Sequence, residues 1–195
     1  MLTATKKDKA KVVKIIEESF KGNPSVTWVV KNDSKKDKRL KALAEYLFDV
    51  GLAKKGVYLS SDHNAVAVIF RYNTKFNKLL VLYHELRLML RAIGFRKIPE
   101  VLKRQAYLKS QKPPSGNFLY FWLYGASDEG KGHGGAFELQ KDIYKLSKDL
   151  KLPIFLETTI PQNRIVYQRF GFEVYNTWKV DEQGVSVWFM KRDPK

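Results

Sequence analysis

The chain has 195 residues, 44% of them hydrophobic and 13% aromatic, which is long enough for one well-buried domain and short for two. It contains no cysteine, so disulfides, thiolate nucleophiles and sulfur-ligated metals are excluded; its three histidines, His63, His84 and His133, are widely spaced and form no zinc-ligand pattern. The net charge of +16 attracts anionic ligands and keeps nucleic acid or another acidic partner in view.

The opening MLTATKKDKAK lacks the apolar core of a signal peptide, and no apolar run is long enough to span a bilayer. The expectation is a cytoplasmic protein with no membrane partner. Residues 1–4 suit a short edge strand, and Thr5 suits the N-cap of a helix to about Phe20 with an apolar face of Val12, Val13, Ile15, Ile16 and Phe20. Gly22-Asn23-Pro24 ends it. A basic run, KNDSKKDKRLK, leads into a second helix carrying Leu40, Leu43, Ala44, Leu47 and Phe48, with Gly51 and Gly56 at its exit. Val57–Ser60 and Ala65–Tyr72 then read as a hairpin about Ser61-Asp62-His63-Asn64, with His63 a turn residue.

Residues 77–110 form a helical insert divided at Gly94 and Pro99. Its apolar positions Leu79, Leu80, Leu82, Tyr83, Leu86, Met89, Leu90 and Ile93 make a stripe suited to docking on the sheet, with His84 beside it. From Lys75 to Lys112 there are ten bases against two acids, a net +8, half the excess of the whole chain. Without interleaved aromatics or a nucleic-acid motif, these bases read as a solvated helix face rather than a nucleic-acid surface. Pro113-Pro114-Ser115-Gly116 breaks the chain before the next strand. It marks a loop rather than a domain boundary, because the hairpin before it has no core without the sheet after it.

From Phe118 to Tyr124 no residue is charged, which fits a central strand covered on both faces. Gly125, Gly130, Gly132, Gly134 and Gly135 follow, and then a helix to Leu150 with Phe137, Leu139, Gln140, Ile143, Tyr144, Leu146 and Ser147 on one side. Glycines before a helix let backbone approach an anion, and the first helical N–H groups lack partners within the helix. The order continues with a strand Pro153–Thr158, a helix Gln162–Phe170, a strand Phe172–Val180, a turn Asp181-Glu182-Gln183-Gly184 and a strand Val185–Lys191.

Three phosphate motifs overlap in the loop. Gly125, Gly130 and Lys131 fit a Walker A loop, except that Gly132 replaces the magnesium-binding Ser or Thr, which argues against nucleotide hydrolysis. Gly130, Gly132 and Gly135 spell G-x-G-x-x-G, with Glu157 as an acid on the next strand, but too little chain follows for a doubly wound domain. The third reading also uses downstream residues. Gly132-His133-Gly134, then Leu156-Glu157-Thr158, Asn163, Tyr167 and Gly171-Phe172, in this order and spacing, resemble the two halves of the GNAT superfamily of N-acetyltransferases, specifically from Phe118 to Tyr175. Two departures are Glu129, where the family motif has Gln or Arg, and a segment Ala126–Glu129 about two residues shorter than usual.

The resemblance implies an α/β GNAT fold over 1–195: a mixed, mostly antiparallel central sheet with helices on both faces. Residues 1–74 would supply the first helices and hairpin, 75–116 the insert, and 117–195 the acetyl-CoA-binding core. It implies acetyl transfer from acetyl-CoA to a primary amine of a small molecule or peptide, without a metal, in a monomer or homodimer. By the same resemblance, the backbone of Leu123, Tyr124, Gly125 and Ala126 would hold the pantetheine arm. The loop Gly130, Lys131, Gly132, His133, Gly134 and Gly135 would take the pyrophosphate. Asn163 would contact the cofactor, and Tyr167 would protonate the departing thiolate. A phenol with an ordinary pKa of about 10 can donate at neutral pH. Glu157, at a strand end beside the thioester, is either a general base or the partner of one of the many bases. Asn163 could also cap its helix, and Phe20 and Trp28 could line the acceptor side or simply pack. The alternative function is a CoA-binding or nucleic-acid-binding module without turnover.

Overall fold

Thr5 opens the first helical stretch in a computed structural model that describes residues 1–31, 33–180 and 185–195. Its hydroxyl caps the turn while the Asp8 carboxylate accepts from the Thr5 N–H at 2.7 Å, and this box leads through one 3-10 turn into α1 (Lys9–Phe20). Asn23 then caps a short helix absent from the sequence reading, α2 (Pro24–Val29), accepting from the Ser25 N–H at 2.9 Å. The remaining helices are α3 (Lys36–Ala53), α4 (Lys78–Leu88), α5 (Ile98–Ser110), α6 (Gly135–Leu150) and α7 (Pro161–Arg169). The strands are β1 (Leu2–Thr3), β2 (Val57–Leu59), β3 (Ala65–Arg71), β4 (Leu119–Ala126), β5 (Ile154–Thr158), β6 (Glu173–Val180) and β7 (Val185–Arg192). The expected turn at Asp181–Gly184 lies outside the described residues.

The strands form one sheet in the order β1-β2-β3-β4-β5-β7-β6, antiparallel throughout except where β4 meets β5. Helices cover both faces. On one, Val12, Val13, Ile15 and Ile16 of α1 and Leu43, Ala44, Leu47 and Phe48 of α3 pack against Val66, Val68 and Leu123. On the other, Leu139 and Ile143 of α6 pack with Phe121, Ile154, Leu156, Phe172 and Met190. A fully buried side chain of this size contributes about 1.5–3 kcal/mol relative to exposure, so these two layers hold the central strands in place.

The insert divides at Gly94 (φ 82°) as expected, but its apolar stripe does not dock on the sheet. Leu79 is 79% exposed, and Leu82, Tyr83, Leu86 and Leu90 are also exposed. The reason is that α3 already covers that face; α4 lies in a second layer over α3, and Val81, Ala92 and Ile93 are the residues that become buried there. Contact with the sheet falls instead to α5. The Tyr107 ring lies 4.3 Å from that of Trp178 on β6, and just past the helix Asn176 Nδ2 donates to Gln111 Oε1 at 2.6 Å. The basic residues are not uniformly solvated either. Arg87 and Arg91 reach Glu45, while Arg104 and Lys112 are buried against the domain.

Candidate functional site

The parallel strands β4 and β5 pair only at Leu119 with Ile154 and Tyr120 with Phe155. Beyond those residues they part, so the β5-facing backbone edge of Leu123, Tyr124, Gly125 and Ala126 has no strand partner. A bulge adds to the opening. Val68 pairs with Leu123 and Ile69 with Phe121, so Trp122 is the extra residue, and Trp122 and Leu123 both meet the α1–α3 layer. The hydroxyl of Ser19 on α1 donates to the Ala126 carbonyl at 3.0 Å and fixes the strand end.

Ser127, Asn64 and Asp62 shape the loop that follows; the sequence reading gave Asp62 and Asn64 to the hairpin turn and tied none of the three to this loop. The Gly130 N–H donates to both Ser127 O and Ser127 Oγ, and the His133 N–H donates to Gly130 O. Two of the loop N–H groups expected to face phosphate are thus committed within the loop, leaving those of Lys131, Gly132, Gly134 and Gly135. Gly132 (φ 85°) and Gly134 (φ 81°) take left-handed conformations, and a Cβ built on either meets nothing within 4 Å. Gly134 is the N-cap of α6 and provides no side-chain cap, so the first-turn N–H groups keep their partial positive charge. The hydroxyl of Tyr124 donates to the carbonyl of Ala136 and ties the strand to this first turn.

The acidic residues around the loop are each engaged. Lys131 Nζ lies 2.5 Å from Asp128 and holds that carboxyl below its usual range, while Glu129 points outward toward Lys14 at 3.9 Å. Asp62 accepts from Ser60 Oγ and from the Asn64 N–H, which lower its pKa, and Glu138 accepts from Ser61 Oγ. His133 is exposed to solvent.

Across the opening, Tyr167 projects from α7 with its ring 5.3 Å from that of Phe172 and 6.5 Å from that of Phe121. Burial first, and the nearby Tyr144 second, push its pKa up, so the phenol stays protonated. Among the described residues its hydroxyl meets no hydrogen-bond partner. Asn163 lies exposed in the first turn of α7, whose N-cap is Ile160 without a side-chain bond; the capping role considered for Asn163 is therefore absent. Glu157 on β5 accepts from Lys112 Nζ at 2.5 Å and from the Tyr120 hydroxyl at 2.7 Å, with both ionic partners largely buried. The sequence left Glu157 either a general base or the partner of a base, and it carried no local signal for Lys112, which is 45 positions away.

At the C-terminal end of β5, Thr159 Oγ1 lies 3.0 Å from Ser25 Oγ on α2, and Ser25 Oγ accepts from Arg104 Nη2 at 2.9 Å. This joins the insert to the mouth of the opening from the α1–α3 side, while Tyr167 and α6 belong to the opposite face. Among the described residues no group of three or more His, Asp or Glu side chains could hold a metal, and no helix is long and apolar enough to cross a membrane.

A mostly antiparallel sheet that opens between two central parallel strands beside a glycine-started helix has the GNAT acetyltransferase fold. No protein-family model and no curated protein sequence matches the chain. Solved structures do. A histone acetyltransferase HPA2 and related acetyltransferase from Corynebacterium glutamicum superposes with a TM-score of 0.70 at 21% identity, over 100% of this chain and 95% of that one. Arylalkylamine N-acetyltransferase 2 from Aedes aegypti gives 0.67 at 15% identity, over 99% and 97%. The C-terminal condensation domain of Ebony, in complex with beta-alanyl-dopamine, gives 0.65 at 10% identity, over 97% and 96%. At these identities the likeness establishes the fold across the whole chain.

Proposed function

We propose that the protein is an N-acetyltransferase that moves the acetyl group of acetyl-CoA to a primary amine in a ternary complex. The observation that carries this reading is the parting of β4 from β5 after two residue pairs, beside an α6 N-terminus that no side chain caps. An extended amide-bearing arm fits the open edge of Leu123 to Ala126. The N–H groups of Lys131, Gly132, Gly134 and Gly135, with the first turn of α6, supply the donors a pyrophosphate needs. Asn163 is exposed at the start of α7 and contacts the same ligand in this reading.

In the reaction the amine nitrogen attacks the thioester carbonyl, the C–N bond forms, and the C–S bond breaks. The amine proton passes to Glu157, directly or through water, and the Tyr167 phenol protonates the departing thiolate. Glu157 keeps acceptor positions open for the amine N–H or a bridging water, because an ionised carboxylate has about four lone-pair sites and two are occupied by Lys112 and Tyr120. The nucleic-acid reading is less well supported: burial of Arg104 and Lys112 and the pairing of Arg87 and Arg91 with Glu45 break up the basic face it needs.

Tyr167→Phe tests the assignment. Removing a general acid lowers turnover by about 10²–10⁴-fold while leaving binding intact. We expect that loss in kcat with unchanged acetyl-CoA affinity; full activity in the variant would remove Tyr167 from the mechanism.

A further inference from the structure

Arg104 is a buried cation for which the described residues provide no counter-charge. It is 9% exposed, its Nη1 has no hydrogen-bond partner, and burial alone shifts its pKa, downward. Its guanidinium carbon lies 4.7 Å from the centre of the Trp28 ring, and Lys97 Nζ approaches the same ring at 5.0 Å while donating to the Trp28 carbonyl at 2.5 Å. The acid closest in sequence, Glu100, sits one turn earlier on α5, is exposed, and pairs with neither cation. Leaving a charged donor desolvated and unpaired is costly, and native proteins rarely do so without a ligand or a functional reason. Contact with the Trp28 ring and the bond to Ser25 hold the guanidinium in place, which is what recognition of a planar anion requires.

The location gives this anion site its meaning. Through Ser25, Arg104 is linked to Thr159, which directly follows β5 at the open end of the parted strands. Glu157, the proposed proton acceptor, lies two residues before Thr159 on that strand. Arg104 thus approaches from the face opposite Tyr167 and α6, the side left for the acceptor once the acyl donor occupies the loop and α6.

We propose that Arg104 forms an anion subsite, with Lys97 near the same Trp28 ring adding positive potential, and that the acceptor is an amine carrying its own carboxylate or phosphate. This rests on the acetyltransferase reading. A guanidinium that binds the acidic group of the acceptor positions the amine toward the thioester, and an amine lacking the anion leaves Arg104 without its ligand.

The test is turnover with matched acceptors: amino acids against the amines formed by their decarboxylation, and phosphoethanolamine against ethanolamine, the two pairings separating carboxylate from phosphate. We expect kcat/KM at least tenfold higher for the anionic member of one pairing. Arg104→Met should abolish that preference and Arg104→Lys should retain part of it, with acetyl-CoA affinity unchanged by calorimetry and the fold of each variant checked by thermal melting. Equal use of both members, a preference that survives Arg104→Met, or no turnover of any anionic amine by protein that binds acetyl-CoA would overturn the inference. Protein that fails to bind acetyl-CoA counts instead against the acetyltransferase reading. Titration of Trp28 fluorescence, assigned with Trp28→Phe, then decides the subsite: a change on adding the anionic amines that is lost in Arg104→Met upholds it, and no change rejects it.

Discussion

Lys112 Nζ lies 2.5 Å from Glu157 Oε1, joining the end of the helical insert to the strand that borders the proposed thioester site. The Tyr120 hydroxyl holds the other oxygen at 2.7 Å, and the ammonium also sits 4.4 Å from the Tyr120 ring. Burial and the neighbouring Glu157 both raise the Tyr120 pKa, so its phenol remains a donor and the carboxylate stays oriented.

Glu157→Gln should therefore separate chemistry from architecture. We expect kcat to fall by roughly 100-fold with acetyl-CoA affinity unchanged, in line with loss of a general base. Lys112→Met should cost about 3–5 kcal/mol of stability, because it leaves a largely buried carboxylate without its cation. A Glu157→Gln variant that loses stability but keeps kcat within tenfold would make Glu157 only the structural partner of Lys112.

Gly132→Ala should damage ligand binding as well as folding. Left-handed backbone costs a non-glycine residue about 1–2 kcal/mol, and the new methyl would project into open space beside the loop N–H groups. We expect acetyl-CoA affinity to fall at least tenfold together with a lower Tm. Unchanged affinity would place the pyrophosphate elsewhere.

Alkaline pH should destabilise the protein through its tyrosines. Burial raises the folded-state pKa of Tyr46, Tyr124 and Tyr167 above the ordinary value of 10.0. The folded state therefore holds these protons more tightly than the unfolded state. The stabilisation is complete below about pH 10 and is lost as pH rises toward the folded-state values. Denaturant midpoints should be flat from pH 8 to 9.5 and decline above that; a midpoint that rises through pH 11 would contradict the burial assigned here.

The two apolar helices α4 and α6 should respond oppositely to mutation. Leu82→Glu, at an exposed position, should change stability by no more than about 0.5 kcal/mol. Ile143→Ala, inside the α6–sheet layer, should cost about 2–5 kcal/mol. Thermal melts of both variants measure the contrast, and a large loss in Leu82→Glu would mean that the α4 stripe is covered after all.

Much of this arrangement is legible in the sequence because its signals are local. Thr5 marks a helix start, the uncharged Phe118–Tyr124 run marks the central strand, and the glycines before α6 mark the loop. Periodicity identified the α4 stripe as apolar but could not say what covers it, since a second helical layer and a sheet-docked helix share the same period. The partners of Glu157, Arg104 and Gly130 depend on approaches between residues far apart in the chain, except for Ser127, whose hydroxyl three positions before Gly130 is a turn signal that could have been read.

Calorimetric titration with acetyl-CoA, with ATP and NAD as controls at the same salt, tests the central proposal most directly. We expect saturable micromolar binding of acetyl-CoA alone, weakened in Gly132→Ala and retained in Tyr167→Phe. No binding of acetyl-CoA, or equal binding of ATP, would contradict the assignment of the open β4 edge and the α6 N-terminus as an acyl-CoA site.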